Sequence, residues 1–186
     1  MNVIAQTQAW IEKVVVGCNF CPFAARELRQ GGIHYEVLNE PLRQAVFLEE
    51  CQRLDQDAAI STSFLILNQA GLNFEDYLEV VEEAQAWLEA ADYEGVYQLA
   101  SFHPDYRFAS SHNDDPADFT NRSPYPMLHL LREAAVSAAV DNFPAAESIP
   151  DHNIRCARQY GLEHMQNLLK SCVETAFSGA RSGADG

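Results

Sequence analysis

Apolar residues recur at helical spacing in the first sixteen positions, through Ile4, Ile11, Val14 and Val15, until the run stops at Gly17-Cys18-Asn19-Phe20-Cys21. Proline is favoured at a first helical position because its missing N–H has no partner there. Pro22 therefore predicts a second short helix to about Gln30, with Cys21 at its N-cap and Gly31-Gly32 as its end. The period then changes. Ile33 to Leu38 alternates like a half-buried strand, and Pro41 to about Leu54 is helical through Phe47, Cys51 and Leu54. Ser63 to Leu67 is an almost continuously apolar strand. Asn73 with Asp76 resembles a capping box for a helix whose apolar face is Phe74, Tyr77, Leu78, Val81, Ala84 and Leu88. Gly95 separates that helix from a third strand, Val96 to Ser101.

This order predicts an α+β (α/β-like) fold. Its centre is one small three-stranded, largely parallel sheet, strand-helix-strand-helix-strand, with an N-terminal helix pair and two C-terminal helices. The first of those last helices starts near Pro124–Pro126 and presents Met127, Leu130, Leu131 and Ala134. The second runs from about Asp151 to Cys172. His103 to Ser123 has no periodicity, and so long a stretch within a compact domain predicts a functional loop or lid. Residues 1–172 are expected to form one domain, and 173–186 a disordered tail.

A chain of 186 residues, 47% of them hydrophobic, has enough apolar surface for one core. Its net charge of −15 argues against nucleic acids and anionic membranes as partners, because such binding relies on Lys and Arg neutralising phosphates. No apolar run is long enough to span a bilayer, and the first residues lack the basic region and cleavage site of a signal peptide. A cytoplasmic protein with five reduced cysteines is expected.

Candidate chemistry starts at Cys21, since a helix N-terminus stabilises a thiolate. His103, at the end of the third strand and stiffened by Pro104, is a candidate acid or base; its alternative is a structural hydrogen-bonding role. Arg107, Arg122 and Arg132 gather around the long loop and the following helix, where guanidinium groups would grip an anion or else pair with local carboxylates. His129 and Arg132, three apart on the predicted helix, would share a face. Cys18 and Cys21 lack the context of a dithiol redox motif or a zinc ribbon. His34, His112, His152 and His164 show no ligand spacing, and no strand leads into a glycine-rich phosphate loop.

Three blocks carry a resemblance: Gly17-Cys18-Asn19-Phe20-Cys21-Pro22-Phe23-Ala24, then Gln98 to Phe108, then Asp114-Asp115-Pro116 with Thr120 to Glu133. With them the chain resembles the bacterial family called Domain of Unknown Function 1415, over nearly its whole length to about Leu169. The resemblance groups Gly17, Asn19, Cys21, His103, Arg122, His129 and Arg132, with Ile149-Pro150 and Asn153. It implies no activity, and an aliphatic residue usually stands where this chain has Cys18.

The leading expectation is a cysteine-dependent enzyme for a small anionic metabolite. Cys21 and His103 would be catalytic, with Arg107, Arg122, His129 and Arg132 binding substrate. It requires Cys21 and His103 to open onto one cleft. The alternatives are a haem- or metal-binding protein using Cys21 or His103/His129, and a non-catalytic binding module. The sequence fixes neither a cofactor nor an oligomeric state.

Overall fold

The computed structural model describes residues 2–141 and 149–178. Helix α1 (Val3–Trp10) is capped by the Asn2 side chain and continues as a π-helical stretch, Ile11–Val16. The wider turn appears in the 3.0 Å bond from Gly17 N–H to Glu12 O. It also brings backbone against Gly17, where a Cβ would lie 2.2 Å from Lys13 O, so only glycine fits. Helix α2 (Ala24–Gln30) has Phe23 at its N-cap, so the expectation of Cys21 at that position is corrected. Pro22 and Phe23 form a turn before the helix.

Then follow β1 (Ile33–Leu38), α3 (Gln44–Gln56), β2 (Thr62–Leu67), α4 (Phe74–Ala90) and β3 (Tyr97–Phe102), largely as expected. Asn73 caps α4, accepting the Asp76 N–H at 2.9 Å. Of the expected apolar face of α4, Tyr77, Ala84 and Leu88 are buried, while Leu78 faces solvent.

The larger correction concerns Met127–Arg132, which forms a strand, β4, rather than the start of a helix. The sheet has four strands in the order β1-β2-β4-β3. β1 and β2 are parallel, and β4 runs antiparallel to both its neighbours. The three expected strands do share one direction, but β4 separates β3 from β2. Apolar side chains on both faces explain the misreading. Met127 packs toward α1 and Leu128 and Leu130 toward α3 and α4, so the alternation that marks a half-buried strand is missing.

α5 (Glu133–Asp141) leaves β4 directly, and the single expected final helix is two, α6 (Ile149–Tyr160) and α7 (Leu162–Ser178). They are divided at Gly161, whose φ of 82° is left-handed. α7 continues beyond the expected limit at Cys172, and residues 179–186 of the expected tail lie outside the described residues.

Two cores flank the sheet. One joins Trp10, Phe64, Met127, Phe119, Met165 and Cys172; the other joins Phe47, Leu54, Leu65, Tyr77, Leu88 and Leu130. Where β3 and β4 begin to pair, the Tyr77 hydroxyl donates to Met127 O at 2.7 Å and accepts from Phe102 N–H at 2.9 Å. Removing it takes a partner from one buried and one part-buried backbone group. Tyr77→Phe is expected to cost about 1–3 kcal/mol of stability in urea unfolding, whereas Tyr93→Phe, at a more exposed hydroxyl, costs less.

Candidate functional site

The long segment between β3 and β4 is a packed strap rather than a lid. A short 3-10 helix, Pro116–Thr120, anchors it, with Ala117 and Phe119 in the core. The buried Asp118 carboxylate accepts the Phe108 N–H at 3.1 Å. Asp115 accepts the Ala117 N–H at 3.0 Å and takes Arg158 from α6 in a fork at 3.1 and 2.7 Å. That arginine, more than any other neighbour, holds the Asp115 carboxyl down at about 2. Trp10 ties the strap to α1 by donating to Arg122 O at 2.9 Å.

Between the strap and α7 lies an open cleft of about 320 Å³. Pro104, Phe119, Pro124, Leu169 and Val173 give it apolar walls, and Arg122 and Lys170 give it two cations. Arg122 is fixed at its inner end: Nε donates to Tyr106 O at 3.1 Å, and the guanidinium lies 4.7 Å from the Phe119 ring centre. Its Nη2 is ion-paired with the buried Asp118 Oδ2 at 3.7 Å, a separation beyond hydrogen-bond length, so the terminal nitrogens still have donors to spare among the described residues.

The other expected site residues do not converge there. His103 is buried on the α4 side, its ring centre 5.4 Å from Phe74 and 5.1 Å from Tyr77. Nδ1 accepts the Asp105 N–H at 3.0 Å, which assigns the proton to Nε2, the donor to Leu72 O at 3.1 Å. Both nitrogens are engaged, and burial lowers the pKa. Arg132 lies at the opposite end of the sheet, where its guanidinium donates to the carbonyls of Leu54, Asp57 and Ile60 and closes the end of α3. Arg107 is exposed on the strap. The expected arginine cluster therefore reduces to Arg122.

His129 and Arg132 share no face, because residues three apart on a strand point to opposite sides. His129 stacks on Phe64 with 3.9 Å between ring centres, within a rung that pairs Tyr35, Phe64, His129 and Ala100 across all four strands. The Thr62 hydroxyl donates to Leu130 O at 2.6 Å and so accepts from His129 Nε2 at 2.6 Å. Although part of its surface is exposed, the imidazole is packed round closely enough for desolvation to push it down to about 3. His103 and His129 face opposite cores, which removes them as joint ligands of one metal.

Cys21 is half-buried, with its N–H bonded to Val15 O at 3.4 Å. Its loop turns through Asn19 at a left-handed φ of 56° and is clasped to α6 by Asn153 Nδ2, which donates to Phe20 O at 2.7 Å. Phe20 belongs to the α1-side core and His103 packs in the other layer, so the thiol and the imidazole are not brought together.

A family model described as "Protein of unknown function (DUF1415)" matches residues 2–167. The chain belongs to this family. No curated protein and no solved structure matches it. The motif blocks of this DUF1415 chain thus include architectural residues, with Gly17 at a close approach, Asn153 as a clasp and Arg132 as a helix cap. Lys170 went unrecognised because a lone lysine on a final helix carries no local signal.

Two outcomes follow from burial. A histidine held below its usual 6.5 when folded binds fewer protons than when unfolded. Its contribution is therefore complete above pH 6.5 and drains away as pH falls toward the folded value. Stability should decline below pH 6.5 by up to ~1.4 kcal/mol per pH unit for each such histidine, and His129→Leu should flatten that decline in pH-dependent unfolding. In the folded protein, a thiol-alkylating reagent should label Cys21 and Cys156 ahead of the buried Cys18, Cys51 and Cys172, as read by peptide mass mapping.

Proposed function

We propose that the protein binds a small carboxylate with a short apolar body in the cleft between the 103–124 strap and α7. The observation that carries this reading is Arg122: one end is fixed by Tyr106 and Phe119, and the other faces the cleft with donors to spare. Arginine prepared in this way recognises a carboxylate bidentately at little entropic cost. Lys170 adds a second cation across the cleft, shared with Glu174 at 3.7 Å in an exposed and easily exchanged pair, in a chain of net charge −15 that would otherwise repel anions. The walls supplied by Leu169, Val173 and Phe119 favour an aliphatic body over a fully polar one.

This reading is ligand binding rather than thiol catalysis. His103 has no nitrogen left to shuttle a proton, and Cys21 does not line the cleft. The expected small anionic ligand is retained, with its recognition moved to Arg122 and Lys170.

Hexanoate and inorganic phosphate are suitable probes. Calorimetric titration should detect hexanoate binding to the full chain, stronger than phosphate and weakened at high salt. Arg122→Gln should weaken it at least about tenfold, or ~1.4 kcal/mol, and Lys170→Gln, at an exposed residue whose loss leaves the fold intact, by a smaller factor. Absence of hexanoate binding, or equal affinity in wild type and both variants, overturns the assignment.

A further inference from the structure

On the opposite side of the sheet from the cleft, three chemically mixed ligand groups meet at its β1 edge. His34 and Glu36, two apart on β1, point to the same face, and Glu50 reaches them from α3. One donor atom from each lies within 4.8 Å of the other two. We propose that His34, Glu36 and Glu50 form a binding site for a divalent first-row transition metal ion.

The site has an inside and an outside. Glu50 is only 2% exposed, and its two oxygens are already sorted. Oε1 accepts from Arg53 Nε at 2.8 Å, while Oε2 accepts from Ser63 Oγ at 2.8 Å and contacts His34 Nδ1 at 2.9 Å. Metal-binding carboxylates are usually oriented by such outer hydrogen bonds, and here they precede the metal. The outer wall is open: the His34 side chain is 26% exposed and Glu36 half-buried, leaving room for water to complete the coordination.

Glu36 is the observation that a plain buried ion pair leaves unexplained. Its carboxylate makes no hydrogen bond or ion pair with any described residue, yet it stands beside a second, buried carboxylate. Like charges so close raise each other's energy unless a cation lies between them. Arg53 engages the far oxygen of Glu50 and reaches Glu36 only through longer-range attraction, and a cation among His34, Glu36 and Glu50 Oε2 would offset the remaining charge. One imidazole nitrogen with two carboxylate oxygens suits manganese, iron, cobalt or zinc better than calcium. Ligand bonds of about 2.0–2.2 Å require the three donors to draw in by roughly an ångström, within the reach of side-chain rotation.

Cobalt(II) is the most informative probe, because its spectrum reports the donor type. Titration of the reduced full-length protein should show one equivalent bound, with weak visible bands and without the intense near-ultraviolet band of thiolate ligation. Glu36→Gln and His34→Gln should each weaken binding at least about tenfold; Glu36→Gln should melt like wild type without metal, whereas His34→Gln, which takes a partner from buried Glu50, should melt lower yet as a folded protein. The proposal fails if no cobalt binds, if thiolate absorption dominates, or if both variants bind as wild type does. The variants' metal-free melting curves separate a lost site from a lost fold.

Discussion

The placement of β4 between β2 and β3 is the constraint on which the rest depends. A strand with hydrogen-bonded neighbours on both edges and side chains covered on both faces must be extended throughout, and Met127–Arg132 meets that condition with register fixed on both sides. Its antiparallel direction makes the chain return from the end of β3 to the adjacent start of β4, so the strap must fold compactly over that end. Arg122 therefore precedes β4 at the cleft, while Arg132 follows at the far end beneath α3. One strand length separates two arginines that look like neighbours in sequence.

Elements with a single periodicity were legible in the sequence. α3, β2 and α4 lie close to where spacing and the Asn73 cap put them, because each buries one defined face or, for β2, both. β4 was not legible. Met-Leu-His-Leu-Leu-Arg satisfies a helical stripe as readily as a covered strand, although Pro124 and Pro126 before it already favour extended backbone. The candidate site suffered in turn, since a helix would join His129 to Arg132 whereas a strand sends them to opposite layers. Arg122 was found because guanidinium chemistry is local; Lys170 and the His34–Glu36–Glu50 group depend on contacts that no short motif encodes.

Carboxylates in this acidic chain do different kinds of work. Asp115 and Asp118 hold the strap from within, one through Arg158 and the other through the Phe108 N–H and an ion pair with Arg122, and Glu50 stitches α3 to β1 and β2. Buried charge of this kind persists only where donors surround it. The hydrogen bonds that shape the strap also present Arg122, so architecture and recognition there draw on the same few groups.

The packing of α1 against α7 has a consequence for biosynthesis. Gln6 donates to Val173 O and Lys13 to Ser171 O, so one interface joins segments far apart along the chain. As the chain leaves the ribosome, Trp10 meets Phe64 and Phe102 early, but the side of α1 that carries Gln6 must wait for more than a hundred and fifty further residues before α7 arrives to cover it. Such delayed closure leaves that side of the segment open to chaperones until α7 has emerged.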